Sequence, residues 1–159
     1  DELLVKGVLE DYKEAYTRNW KKKSKPYDGI MKCLDDLKAH QIASAVLSNK
    51  PHNFTELCVE SLIGNEHFIS ILGQRDSVKK KPSPDGAIEI CNNVNVDPSD
   101  VIFIGDTNVD ILTGVAAGMT TMGVLWGFRK EEELRAAGAD YIVSHPNQIL
   151  DIILNSKSR

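Results

Sequence analysis

The chain has 159 residues, 42% of them hydrophobic and 26% charged, with a net charge of -4. That is enough length and apolar content for one globular domain with a core. The acidic balance argues against nucleic acid as a partner, since binding it normally needs a basic face, and no apolar run approaches the roughly 18 residues of a membrane span.

Taken in chain order, Leu3, Leu4, Val8, Leu9 and Tyr12 recur at helical spacing and continue to Tyr16 and Trp20. They predict an amphipathic helix. The basic run Lys21-Lys22-Lys23-Ser24-Lys25 reads as a solvated loop or helix end, and Pro26 stops the helix. Asp28 is placed to cap a second helix with Ile30, Leu34 and Leu37 on one face. A short apolar run over 43–48 suits a buried strand. A helix over 54–62 should stop at Gly64, and a second strand is expected over 68–72. The segment 79–84 is a loop leading into a helix with Ala87, Ile88 and Cys91 inward. Residues 101–104 form the clearest buried strand, followed by a turn at 105–108 and a helix ending at Gly118. Then come a strand over 121–124, a helix over 131–137, a strand over 141–143 and a closing helix opened by Pro146.

This alternation implies an α/β fold with a mostly parallel sheet and helices on both faces. Ligands of such sheets bind beyond the carboxyl ends of the strands. The residues there are Ser48-Asn49-Lys50, Gln74-Arg75-Asp76, Gly105-Asp106 and Trp126-Gly127. Cys33, Cys58 and Cys91 lie far apart without CxxC spacing, as expected of reduced, buried thiols in a cytoplasmic protein. No signal-peptide pattern opens the chain.

Three features point to phosphate chemistry. In Gly105-Asp106-Thr107-Asn108-Val109-Asp110 two carboxylates stand one helical turn apart at a strand-to-helix junction. Magnesium takes such oxygens and completes its shell with water and substrate phosphate. The plain alternative is a cap at Asp106 or Thr107 followed by a solvated first-turn acid. Ser48, directly after a strand, offers a hydroxyl with the Asn49 amides beside it, suited to a phosphate oxygen or to an ordinary helix cap. Lys81 is stiffened by Pro82 and Pro84, so its ammonium could neutralise phosphate charge, although it also belongs to a run of three lysines.

Together these residues resemble motifs two, three and four of the haloacid dehalogenase superfamily: a strand then Ser48, then Lys81-Pro82-x-Pro84, then Gly105-Asp106-x-x-x-Asp110. The tail from Ala117 through Trp126-Gly127-Phe128-Arg129 to Val143 is similar to bacterial phosphoglycolate phosphatases. The resemblance implies a Rossmann-like core over 26–159, with 1–25 as the end of a helical cap entering the core at Pro26-Tyr27-Asp28-Gly29-Ile30. It implies that Ser48 and Lys81 are catalytic, that both bind substrate with Asn49, and that Asp106 and Asp110 serve Mg2+. Asp110 could do so through water or by orienting other groups. The expected activity is hydrolysis of a small phosphate monoester such as 2-phosphoglycolate. Pyrophosphate or a sugar phosphate is the alternative substrate, and a non-catalytic module the alternative of another class. The expected partners are a small phosphorylated substrate and, at most, a second copy in a homodimer, with neither nucleic acid nor membrane.

The family's first motif, Asp-x-Asp-Gly-Thr, supplies the attacking aspartate on the central strand. The 159 residues do not contain it: Asp28-Gly29 and Asp85-Gly86 lack the preceding Asp and the following Thr. The expectation is a core without its first strand, split into two half-sheets, and inactive as written because aspartyl-phosphate chemistry needs that nucleophile.

Overall fold

The computed structural model describes Gly7 and residues 20–156. The helix expected over 3–20, and with it the cap segment, lies outside the described residues except for Gly7, which is helical, and Trp20, which is in a turn.

The strands are β1 (Ala45–Pro51), β2 (Ser70–Gln74), β3 (Ile102–Gly105), β4 (Thr120–Val124) and β5 (Tyr141–Val143). The helices are α1 (Ile30–Ala39), α2 (His52–Leu62), α3 (Asp85–Val94), α4 (Asn108–Ala116), α5 (Glu131–Ala136) and α6 (Asn147–Ser156). All pairings are parallel, β1 with β2 in one sheet and β3-β4-β5 in another. The described residues thus hold two separate parallel sheets, of two and three strands.

Strand alternation distributes the helices over both faces. Met122 and Val124 of β4 join Cys33 and Leu37 of α1 and Ile149 and Ile153 of α6 in one core. Their neighbours on β4 point the other way: Thr121 lies against Gly114 of α4, and Gly123 against Leu134 of α5. A second core gathers Ala87 and Cys91 of α3 with Ala117 and Met119, and Leu47 and Phe103 pack against it.

Several expectations are corrected. Asp28 does not cap α1; Gly29 holds that position with φ 86° and no side-chain cap. The left-handed φ suits glycine, and a Cβ there would come within 3.1 Å of the His145 ring. The second strand begins at Ser70 rather than 68, because a 3-10 turn over Asn65–His67 delays the pairing with β1. β3 is not fully buried: Ile104 is 38% exposed. Among the described residues β3 is an edge strand, and Ile104 looks into a groove of about 390 Å³. Ala45, Ile104 and Trp126 line that groove's walls, with Ile30 and Cys33 of α1 also facing it. Cys33 and Cys91 are buried free thiols as expected, and burial pushes both upward in pKa, whereas Cys58 is only half-buried.

Candidate active site

Ser48, Asn49 and Lys50 occupy an irregular stretch of β1. The register runs Ala45 to Ser70, Val46 to Ile71 and Leu47 to Leu72, then resumes at Pro51 to Gln74. Residues 48–50 thus stand opposite Gly73 alone. Bulges of this kind re-aim side chains beside functional sites. The chains approach so closely here that a Cβ on Gly73 would collide with Thr55 and with the backbone of His52 and Lys50. The Gly73 N–H donates to His52 Nδ1 at 3.1 Å, and the Thr55 hydroxyl lies 3.1 Å from the Lys50 carbonyl oxygen. Within the bulge the Ser48 hydroxyl oxygen accepts from the Lys50 N–H at 3.1 Å.

Lys81 reaches this bulge from the loop before α3. Its ammonium donates to the Leu47 carbonyl at 3.1 Å and to Asp110 Oδ1 at 2.6 Å, and it stands 5.9 Å from the centre of the Phe103 ring. Asn49 Oδ1 accepts from the Lys81 N–H at 2.8 Å, and Asn49 Nδ2 donates to the Lys81 carbonyl at 3.0 Å. Ser48, Asn49 and Lys81 line one cavity of about 10 Å³, a space for about one water.

Asp110 is 8% exposed. Its Oδ2 accepts from the Thr107 N–H at 3.1 Å and from the Thr107 hydroxyl at 2.6 Å, while its own N–H donates to Thr107 Oγ1 at 3.3 Å. This is a capping box at the start of α4. The cap reading was right about Thr107, but Asp110 is not a solvated acid: its other oxygen neutralises Lys81. Both carboxylate oxygens are thereby engaged.

Asp106 sits just after β3 and lines the larger groove. The Phe128 N–H donates to its Oδ2 at 2.9 Å. Gly127 packs so tightly on the carboxylate that a Cβ there would overlap it. The other strand-end candidate, Arg75, forms a bidentate pair with Glu89 of α3 at 2.9 and 2.7 Å. The hydrogen bond from Arg75 holds the Glu89 carboxyl below its usual pKa.

The structure therefore joins Asn49 to Lys81 directly, sets Ser48 beside them on one small cavity, and reaches Asp110 through the Lys81 ammonium. Asp106 stands four residues before Asp110, at the groove. Sequence reasoning passed over the Leu47 carbonyl and the Phe128 N–H, and only the strand-end position of Trp126-Gly127 could have signalled the second.

No group of three or more His, Cys, Asp or Glu side chains among the described residues is arranged to hold a metal ion. Magnesium asks for less, since it keeps several waters and is held by one or two carboxylates with substrate phosphate. Asp106 fits that role: one oxygen is fixed by Phe128, and no hydrogen bond to the other is seen among the described residues.

Parallel strands with helices on both faces, with Asp106 just past the end of β3 and Lys81 reaching β1 from the loop before α3, define a doubly wound α/β scaffold. The sequence matches the haloacid dehalogenase-like hydrolases over residues 1–124, and the chain belongs to that family. It is 31% identical over 150 residues to the N-acetylmuramic acid 6-phosphate phosphatase of Pseudomonas aeruginosa, covering 94% of this chain and 66% of that protein. It is 28% identical over 148 residues to the phosphoglycolate phosphatase of Xylella fastidiosa, covering 92% and 65%. A crystal structure from Lactobacillus delbrueckii subsp. bulgaricus, of a protein assigned to the phosphoglycolate phosphatases, superposes with a TM-score of 0.88 at 31% identity, over 96% of this chain and 64% of that one. The chain spans just under two-thirds of the length of these relatives.

Proposed function

We propose that the protein to which this chain belongs is a magnesium-dependent phosphomonoesterase acting on a small phosphorylated acid. The observation that carries the reading is the Lys81 ammonium, held between the Leu47 carbonyl, immediately before the Ser48 bulge, and Asp110 in the first turn of α4. A fixed cation beside a hydroxyl is what a transferring phosphoryl group requires, since its catalysis rests on positioning and charge neutralisation.

In this reading Ser48 donates to a phosphoryl oxygen and Lys81 offsets the charge of the phosphate and of the attacking carboxylate. Asp106 presents an oxygen to Mg2+, which supplies charge neutralisation when bound. Asp110 acts on the reaction by orienting Lys81. The attacking aspartate comes from chain outside these 159 residues. Support for that comes from the fraction of the relatives' length covered and from the groove between two sheets whose facing strands, β1 and β3, do not pair with each other.

The substrates in the relatives' names, 2-phosphoglycolate and N-acetylmuramic acid 6-phosphate, are both phosphorylated acids. The first is the preferred class of small substrate. The match to the Pseudomonas enzyme favours the sugar phosphate as second reading. Phosphate release by the intact protein with Mg2+ on both compounds, on pyrophosphate and on simple sugar phosphates tests this. Turnover of one phosphorylated acid above the rest is expected. Absence of turnover on every ester would leave the non-catalytic module in its place. The 159 residues alone are expected to be inactive.

A further inference from the structure

We propose that Asn49 is a positioning residue whose side chain sets the placement of Lys81, an inference that rests on the phosphatase reading for its kinetic consequence but not for its structural one. Asn49 immediately follows Ser48, where an amide would be expected to face substrate. Instead its acceptor takes the Lys81 N–H at 2.8 Å and its donor meets the Lys81 carbonyl at 3.0 Å. The two bonds close a ring across 32 residues of sequence. They saturate the main chain of a residue that has no ladder of its own: Lys81 lies outside any helix or strand and precedes Pro82, which has no N–H to contribute.

The other end of Lys81 is fixed as well. Its ammonium donates to the Leu47 carbonyl and to Asp110. Lys81 is thus tied to β1 on both sides of Ser48, by its main chain to residue 49 and by its ammonium to residue 47. The span between the two attachments is the lysine side chain itself. Releasing the main-chain end leaves the ammonium held by the Leu47 carbonyl and Asp110 alone, on a flexible stem whose root is no longer fixed to β1, so its placement beside a phosphoryl group on Ser48 is less strictly set. Both bonds to Asn49 are exposed, so water replaces them when the amide is removed and the core is untouched. The loss should fall on geometry rather than on folding.

The test uses Asn49→Ala in the intact protein with two readouts. The first is hydrogen exchange of the peptide containing Lys81. Its amide, protected by Asn49 Oδ1, is expected to exchange at least about 10-fold faster in the variant, with the peptides of α4 unchanged. Unchanged exchange at Lys81 would overturn the clamp whether or not the protein turns over any ester. The second is kinetic. Misplacement of a catalytic group by about 1 Å costs on the order of 100-fold, so kcat should fall by about 10- to 100-fold with KM nearly constant. In a Lys81→Ala background, read by single-turnover phosphate release, the same Asn49→Ala change should have almost no further effect. An equal loss in both backgrounds would show that Asn49 acts on the substrate itself and would refute positioning through Lys81. If wild type is inactive on every ester, the phosphatase reading fails while the exchange measurement still decides the clamp.

Discussion

Lys81 Nζ lies 2.6 Å from Asp110 Oδ1, with both side chains nearly buried at 13% and 11% exposure. The pair links the loop before α3 to the first turn of α4, and through the Leu47 carbonyl it links one sheet to the elements that follow the other. A charge held this far from water depends on its partner. Asp110→Ala leaves the ammonium unpaired and should cost about 3–5 kcal/mol in urea denaturation. Lys81→Met combined with Asp110→Leu removes both charges and should cost clearly less than Asp110→Ala alone. Equal losses would show that packing, not charge, dominates the site.

Asp106→Asn keeps the shape of the side chain and its bond from the Phe128 N–H while removing the negative charge. In the intact protein, under the proposed phosphatase reading, the Mg2+ concentration for half-maximal rate should rise by about 10-fold or more, and turnover should drop. A magnesium dependence like that of wild type would remove Asp106 from the metal site.

Gly127→Ala places a methyl where the Asp106 carboxylate stands. The carboxylate must move, and turnover should fall by about 10- to 100-fold. Gly118→Ala is the contrast. Gly118 has φ +72° but open space around it, so the change should cost about 1–2 kcal/mol of stability and leave the rate intact. Assays of the two variants side by side separate crowding at Asp106 from backbone strain elsewhere.

The Arg75–Glu89 pair predicts an acid response. The hydrogen bond from Arg75 lowers the folded pKa of Glu89. Its stabilisation is therefore complete above the unfolded glutamate value and disappears as pH falls through the lower folded value. Denaturation midpoints of wild type and Glu89→Gln should converge on acidification through that window and separate above it. A constant separation down to the acid limit would mean that the pair contributes nothing through ionisation.

Thr121 is fully buried, and its N–H and hydroxyl lie 2.8 and 2.9 Å from Asp140 Oδ2. Thr121→Val keeps the volume but strands the Asp140 carboxylate of one donor, and should cost about 1–3 kcal/mol. Chemical denaturation reads this directly, and a neutral result would show that water replaces the hydroxyl.

The parallel α/β architecture was legible because helical periodicity and short apolar runs are local properties. The 43–48 and 101–104 runs marked β1 and β3, and the 3.6-residue spacing marked α1 and α3. Boundaries were less legible. The Ser48 bulge, the delayed start of β2 and the exposure of Ile104 all depend on which strand lies alongside, and pairing across distance leaves no mark in the pairing segments themselves.

The identities of Ser48, Lys81, Asp106 and Asp110, their order and the β1, β3 and α4 segments that carry or adjoin them were determined by the amino-acid sequence, since residue type and element periodicity are written in neighbouring letters. Only the tertiary structure decided what each does with its polar atoms. Asn49 is turned to the Lys81 main chain, Asp110 is shared between Thr107 and Lys81, and Asp106 is left at the groove with the Phe128 N–H. Hydrogen bonds form between atoms within about 3 Å of one another, and folding alone brings residues 49 and 81, or 106 and 128, to that distance.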